Sequence, residues 1–183
     1  IAILIALALS GPAGDSPQSV EVLGLTTVGG NVHLARETRN ALAILEYAHR
    51  PDVPVIRGNA RPMKHYFHYP YTFHGKAGIS RRLPKPQTRP MSGNTVDFLA
   101  SQLQGRPDQI TLVALGPLTN LAHFQRRHPG TLEMARTVVI MGGAVDVPGN
   151  ITPLAEFNFY SDPQAAQEIV SSNLPLTLVD LGA

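Results

Sequence analysis

The chain has 183 residues, 43% of them apolar and 15% charged, which suits one domain with a buried core and does not suit a disordered tail. It has no cysteine and no tryptophan, which excludes disulfide scaffolds, thiol nucleophiles and cysteine-held zinc and weakens a base-stacking platform for nucleic acid. Fifteen Lys and Arg against 13 Asp and Glu leave a formal net charge of +2, too small to imply a polyanionic partner unless the cations cluster.

Ile1 to Leu9 (IAILIALAL) is apolar throughout and runs into Ser10-Gly11-Pro12-Ala13. This resembles the core and cleavage site of a secretory signal, but no Met opens it and no basic segment precedes it. It is also far short of the roughly 20 residues that a membrane span needs. The reading adopted is a buried helix entered partway along its length.

Val20 to Val28 is rich in β-branched residues and ends at Gly29-Gly30-Asn31, a strand running into a tight turn. His33 to His49 carries Leu34, Ala41, Leu42, Leu45 and Ala48 at helical spacing, and Pro51-Asp52 ends that helix. Val53 to Ile56 predicts a short strand. Arg57 to Gly93 has little periodicity and reads as a long loop, of the kind that is functional or hides small elements. Thr95 to Leu103 predicts a helix, Ile110 to Leu115 an apolar strand meeting Gly116-Pro117, and Leu118 to Arg127 a helix. Thr137 to Met141 predicts a strand ending at Gly142-Gly143. Asp162-Pro163 pairs a capping residue with proline at the first helical position, opening a helix to about Ser172. Leu176 to Val179 is the last strand. Strands apolar on both faces and alternating with helices predict one α/β domain with a mostly parallel sheet flanked by helices. Ligands of such sheets bind beyond the carboxyl ends of the strands.

The charges are uneven. Val53 to Val96 contains no Asp or Glu, yet it holds Arg57, Arg61, Lys64, Lys76, Arg81, Arg82, Lys85 and Arg89, with His65, His68 and His74. The functional reading is an anion- or substrate-facing loop. The plainer reading is a solvated surface whose acidic partners lie elsewhere in the fold.

The most informative segment follows the Thr137 to Met141 strand. Asn150, Glu156 and Asn158 fall within nine residues. Amide and carboxylate side chains together can hold vicinal hydroxyls, which is the chemistry of sugar recognition. The plainer reading is turn-forming Asn and a surface Glu.

At these residues the chain resembles the inosine-uridine nucleoside hydrolases, calcium-dependent enzymes that cleave the N-glycosidic bond of ribonucleosides. Four stretches carry the resemblance, in order. They are Leu25-Thr26-Thr27-Val28-Gly29-Gly30-Asn31 with Thr38-Arg39-Asn40-Ala41; Phe73-His74-Gly75-Lys76-Ala77-Gly78; Leu112-Val113-Ala114-Leu115-Gly116-Pro117-Leu118-Thr119-Asn120; and Ile140-Met141-Gly142-Gly143 through Gly149-Asn150 to Glu156-Phe157-Asn158 and Asp162-Pro163.

The resemblance implies a Rossmann-like fold. It implies that Asn31, Asn150, Glu156 and Asn158 bond the ribose and that Met141 packs beside it. His74 would lie near the sugar or base end. The main-chain carbonyl of Leu115 would be a ligand of Ca2+. The family's Asp-x-Asp-x-x-x-Asp-Asp motif, which holds calcium and supplies the base that activates water, would align just before Ile1. A later His and a calcium-binding Asp would fall beyond Ala183. Many relatives carry Asp where this chain has Gly182, and no role passes to Asp180.

Residues 1–183 are therefore expected to be the middle portion of a nucleoside hydrolase domain, an incomplete fold with a gap in its sheet, no catalytic residue of its own and no activity alone. The complete protein is expected to hydrolyse a small-molecule ribonucleoside to ribose and free base, as a cytoplasmic homo-oligomer that needs neither membrane nor nucleic acid. The alternative is a non-catalytic ribose- or nucleoside-binding module. A nucleic-acid-binding reading of the Arg57 to Arg89 stretch ranks behind both.

Overall fold

A computed structural model describes residues 2–10, 20–80 and 83–183. Gly11-Pro12-Ala13 of the signal-like segment, and Arg81 and Arg82 of the basic stretch, lie outside these.

The elements in chain order are α1 (Ala2–Ala8), β1 (Leu25–Thr27), α2 (Leu34–Tyr47), β2 (Val55–Arg57), α3 (Tyr71–His74), α4 (Thr95–Gly105), β3 (Thr111–Ala114), α5 (Thr119–Arg127), a 3-10 turn (Leu132–Met134), β4 (Thr137–Met141), α6 (Phe157–Ser161), α7 (Pro163–Val170) and β5 (Leu176–Val179). All strand pairs are parallel. They form two sheets among the described residues: β1 with β2, and β3-β4-β5 in that order.

The expected single sheet is thus split between β1 and β3. The core is split with it. One cluster packs α4, α5 and α7 against β4, whose Val138 and Ile140 are fully buried. The other packs Leu42 and Leu45 of α2, with Leu7 of α1, against Val53 and Val55. The strands are not apolar-buried on both faces throughout. Val113 and Leu115 remain 59% and 52% exposed, so one face of β3 is open.

Local chemistry explains the helices. In α2 the buried residues Thr38, Ala41, Leu42 and Leu45 follow the i, i+3, i+4, i+7 stripe of an amphipathic helix. Asn94 caps α4 by accepting from the Asp97 N–H at 2.9 Å. Asp162 caps α7, with Pro163 at its first position, as its sequence predicts. Expected from Ile1 to Leu9, the apolar helix α1 is present but only partly buried: Leu4 and Ile5 are 41% and 55% exposed.

The long segment between β2 and α4 is ordered without a periodic core. Polar side chains of α2 hold it. Arg39 donates to the Leu83 carbonyl (2.9 Å) and Asn40 to the Ala77 carbonyl (2.8 Å). Glu46 accepts from the Gln87 and Thr88 N–H groups and the Thr88 hydroxyl. These bonds hold the Glu46 carboxyl below its ordinary value. Acidic groups therefore do meet the basic stretch, but at its backbone and the Thr88 hydroxyl. Among the described residues none of its cations forms an ion pair, and Arg61 instead lies 5.3 Å from the centre of the Tyr66 ring.

Candidate functional site

The carboxyl ends of β3 and β4 converge on the segment before α6. After Met141 the chain passes Gly142, where a side chain would collide with the Phe159 ring, and Gly143, at φ +85°. This lets α6 lie directly across the strand end.

Two side chains then satisfy the first N–H groups of α6, which have no partner inside the helix. Asn150 Oδ1 accepts from Phe157 at 2.9 Å. Glu156 Oε1 accepts from Asn158 at 2.8 Å, and Oε2 from Phe159 and from Gly143, each at 3.1 Å. Glu156 is 2% exposed, so it is not a surface charge. Its carboxylate binds a helix start to a strand end.

Asn158 is 7% exposed and bridges the two strand ends. Its Nδ2 donates to the Met141 carbonyl at 3.1 Å and lies 3.2 Å from Met141 Sδ and 3.5 Å from the Leu115 carbonyl. Asn158 Oδ1 accepts no hydrogen bond among the described residues and so remains open to a hydroxyl donor. Asp180 belongs to the supporting frame: its carboxylate accepts from the Val145 N–H at 2.7 Å.

The turn after β1 adjoins this site. A side chain on Gly30 would touch Pro117, and one on Gly116 would touch Val28, so the Gly29–Asn31 and Leu115–Pro117 turns are neighbours. Asn31 is half-buried there, and its side chain makes no hydrogen bond among the described residues. Beyond it lies an aromatic row absent from the expected site. His33 lies against Tyr69 with centroids 4.0 Å apart and the rings tilted by 50°, and Tyr69 stacks on Tyr71 at 6.0 Å and 20°. Burial pushes the Tyr69 hydroxyl pKa up. Below the row, Val32 N–H donates to Glu37 at 3.0 Å, and burial pushes the Glu37 carboxyl up.

The structure therefore brings Leu115, Met141, Asn150, Glu156 and Asn158 into one bonded cluster, with the Asn31 turn beside it. His74 stands exposed at the end of α3, and no described contact joins it to the cluster. Sequence reasoning missed two buried polar residues behind the site. In the sequence Asn120 carries no role of its own within Leu112–Asn120, and Asp162 shows only as a helix cap. Their partners are 61 and 99 residues away in the chain, which no local pattern displays.

Calcium takes roughly six to eight oxygen ligands, largely carboxylate. Among the described residues no group of three His, Asp or Glu side chains is arranged to hold a metal. The two buried carboxylates nearby are already engaged: Glu156 accepts three N–H groups, and Asp162 accepts two N–H groups and a hydroxyl. The Leu115 carbonyl alone does not make a calcium site.

The chain belongs to the inosine-uridine preferring nucleoside hydrolase family, whose model matches residues 1–183. It is similar to uridine nucleosidase 1 of Arabidopsis thaliana, 40% identical over 164 residues, which cover 88% of this chain and 49% of that one. Among solved structures it is similar to a plant nucleoside hydrolase, PpNRh1 (35% identity, TM-score 0.89, 99% of this chain and 56% of that one). It also resembles a purine-preferring ribonucleoside hydrolase from Gardnerella vaginalis (29% identity, TM-score 0.88, 98% and 57%). The chain spans about half the length of these relatives. Among the described residues no helix is long and apolar enough to cross a membrane.

Proposed function

We propose that the chain forms the ribose-holding part of a nucleoside hydrolase. In the complete protein, water oxygen would bond to the sugar's anomeric carbon as the carbon–nitrogen bond breaks. The bonding pair and a proton would end on the free base. Asn31, Asn150 and Asn158 would hold the sugar hydroxyls, with Met141 packed beside the ring.

The observation that carries this reading is Asn158. Its Nδ2 is fixed on the ends of β3 and β4, which leaves Oδ1 open toward a ligand at the site where parallel sheets bind theirs. Glu156 has three of its roughly four lone-pair sites filled by N–H groups, which leaves one for a hydroxyl. The aromatic row from His33 to Tyr71 and the neighbouring His74 would face the base. No step is assigned to calcium, because the described residues do not make its site. The residues that hold it and activate water would lie in the remainder of the protein.

A second reading, a nucleoside-binding module without hydrolysis, is favoured by one observation: the described residues contain no acidic cluster to activate water. Ribose release by the full-length protein separates the two. Asn158→Ala in that protein is expected to lower kcat/KM by roughly 10²-fold or more, because the Oδ1 acceptor for a hydroxyl is removed together with the Nδ2 bonds that aim it. A loss under about threefold would remove Asn158 from the site. Inosine and uridine are both offered as substrates, since the relatives' names divide between purine and pyrimidine nucleosides.

A further inference from the structure

We infer that Asn120 is a positioning residue that sets the Asn31 turn against the Leu115–Asn158 side of the site; this rests on the ribose-site reading above. Asn120 is 6% exposed in the first turn of α5, immediately after the Leu115–Pro117 turn. Its Oδ1 accepts from both the backbone N–H and the side-chain amide of Asn59, each at 2.9 Å. Its Nδ2 donates to the Thr27 carbonyl at 3.0 Å. Asn59 in turn accepts from the Gly29 N–H at 2.9 Å.

One amide thus grips the last residue of β1, the segment after β2 and, through Asn59, the turn that carries Asn31. This matters because β1 and β3 are not hydrogen-bonded to each other. Without a ladder between the sheets, their strand ends need another means of registration. The two turns also touch through Gly30 on Pro117 and Gly116 on Val28, but those contacts are non-directional. The bonds to Asn120 are directional and buried.

The approach is close enough that Gly58 admits no side chain, which would collide with the Thr27 carbonyl and with both polar atoms of the Asn120 amide. A second bond set anchors the same region. Thr119 donates to Asp162 at 2.6 Å, and Asp162 also accepts from the Met63 N–H at 2.9 Å. The start of α5 therefore holds the Arg57–Met63 segment from two sides.

Only the asparagine amide offers an acceptor for Asn59 and a donor for Thr27 at this length. Asn120→Ala removes both. Asn120→Asp keeps the acceptor, but as a carboxylate it faces the Thr27 carbonyl with no proton to donate. Protonation restores the donor.

The test uses the full-length protein with Asn120→Ala, Asn120→Asp and, as a control, Leu103→Ala, which opens a site in the buried cluster that α4 shares with α5 and β4. Asn120→Ala is expected to lower ribonucleoside kcat/KM by about tenfold or more while the protein remains folded at the assay temperature. Leu103→Ala, at an equal or greater loss of Tm, is expected to leave it within about twofold. Relative to wild type, Asn120→Asp is expected to recover as pH falls from about 8 to 5. Equal losses in Asn120→Ala and Leu103→Ala would overturn the inference. A wild-type protein that releases no ribose would sink the functional reading instead.

Amide hydrogen exchange keeps the two failures apart. Asn120→Ala is expected to speed exchange at the hydrogen-bonded amides of Gly29, Gly30 and Asn59 by about tenfold or more, whereas Leu103→Ala leaves them protected. Unchanged exchange at those amides would overturn the positioning role whether or not the enzyme turns over.

Discussion

Glu156 is a buried carboxylate with no cation paired to it among the described residues. Three N–H groups take the place of a counter-charge, and the bonds tie α6 to the end of β4. Glu156→Gln keeps the volume but turns an NH2 toward a backbone donor. A loss of about 2 kcal/mol in denaturant unfolding is expected; a loss under about 0.5 kcal/mol would mean that the cap contributes little. Glu37 behaves differently. Burial raises its pKa above the unfolded value, so the folded state binds more protons than the unfolded one just above the ordinary carboxylate range. Its contribution is fully present below the unfolded pKa and is lost as pH rises through the raised one. Glu37→Gln, whose amide oxygen still accepts from Val32, is expected to gain stability over wild type between about pH 5 and 7. Urea midpoints across that range check it, and parallel curves would contradict it. At this scale the resemblance names Leu115, Met141, Asn150, Glu156 and Asn158, which the fold gathers, and His74, which no described contact joins to them. The sequence does not display what they bond. Glu156 was assigned to sugar, yet most of its capacity serves the backbone.

The elements differ in how well a local pattern marks them. β4 and β5 match their expected bounds, because apolar β-branched runs flanked by Gly and Pro leave little freedom. β1 shrinks from Val20–Val28 to Leu25–Thr27, since it pairs only with the three-residue β2. α6 was not foreseen: five residues reading FNFYS have no helical period, and side-chain caps define them. The segment from Arg57 to Gly93 reads in sequence as a long loop that is functional or hides small elements; it holds the short helix α3, and Arg39, Asn40 and Glu46 of α2 order it through bonds to its backbone. Burial makes a quantitative contrast along the central strands. Val138 is fully buried and Val113 is 59% exposed. In this chain Val138→Ala is expected to cost about 2 kcal/mol, and Val113→Thr less than about 0.5 kcal/mol. Equal costs, read from unfolding curves, would mean that the open face of β3 is covered.

Across the whole molecule, two parallel sheets with separate cores meet at their carboxyl ends, and the candidate site sits at that meeting. The α/β class and the parallel pairing were legible from strand–helix alternation. The division into two sheets was not, because no local pattern states which strand neighbours which. The same geometry separates what the described residues hold from what they lack. The Asn150 and Asn158 amides and the Leu115 carbonyl are gathered, while a carboxylate cluster arranged to hold a metal is absent among the described residues. Ribose release from inosine and uridine tests this division most directly. It is measured with the 183-residue chain and with the full-length protein, each with calcium and with a chelator. Release from the full-length protein that the chelator stops, with none from the chain alone, is the predicted result. Chelator-sensitive release by the chain alone would contradict the account, because the metal and its water would then be held by the 183-residue chain itself.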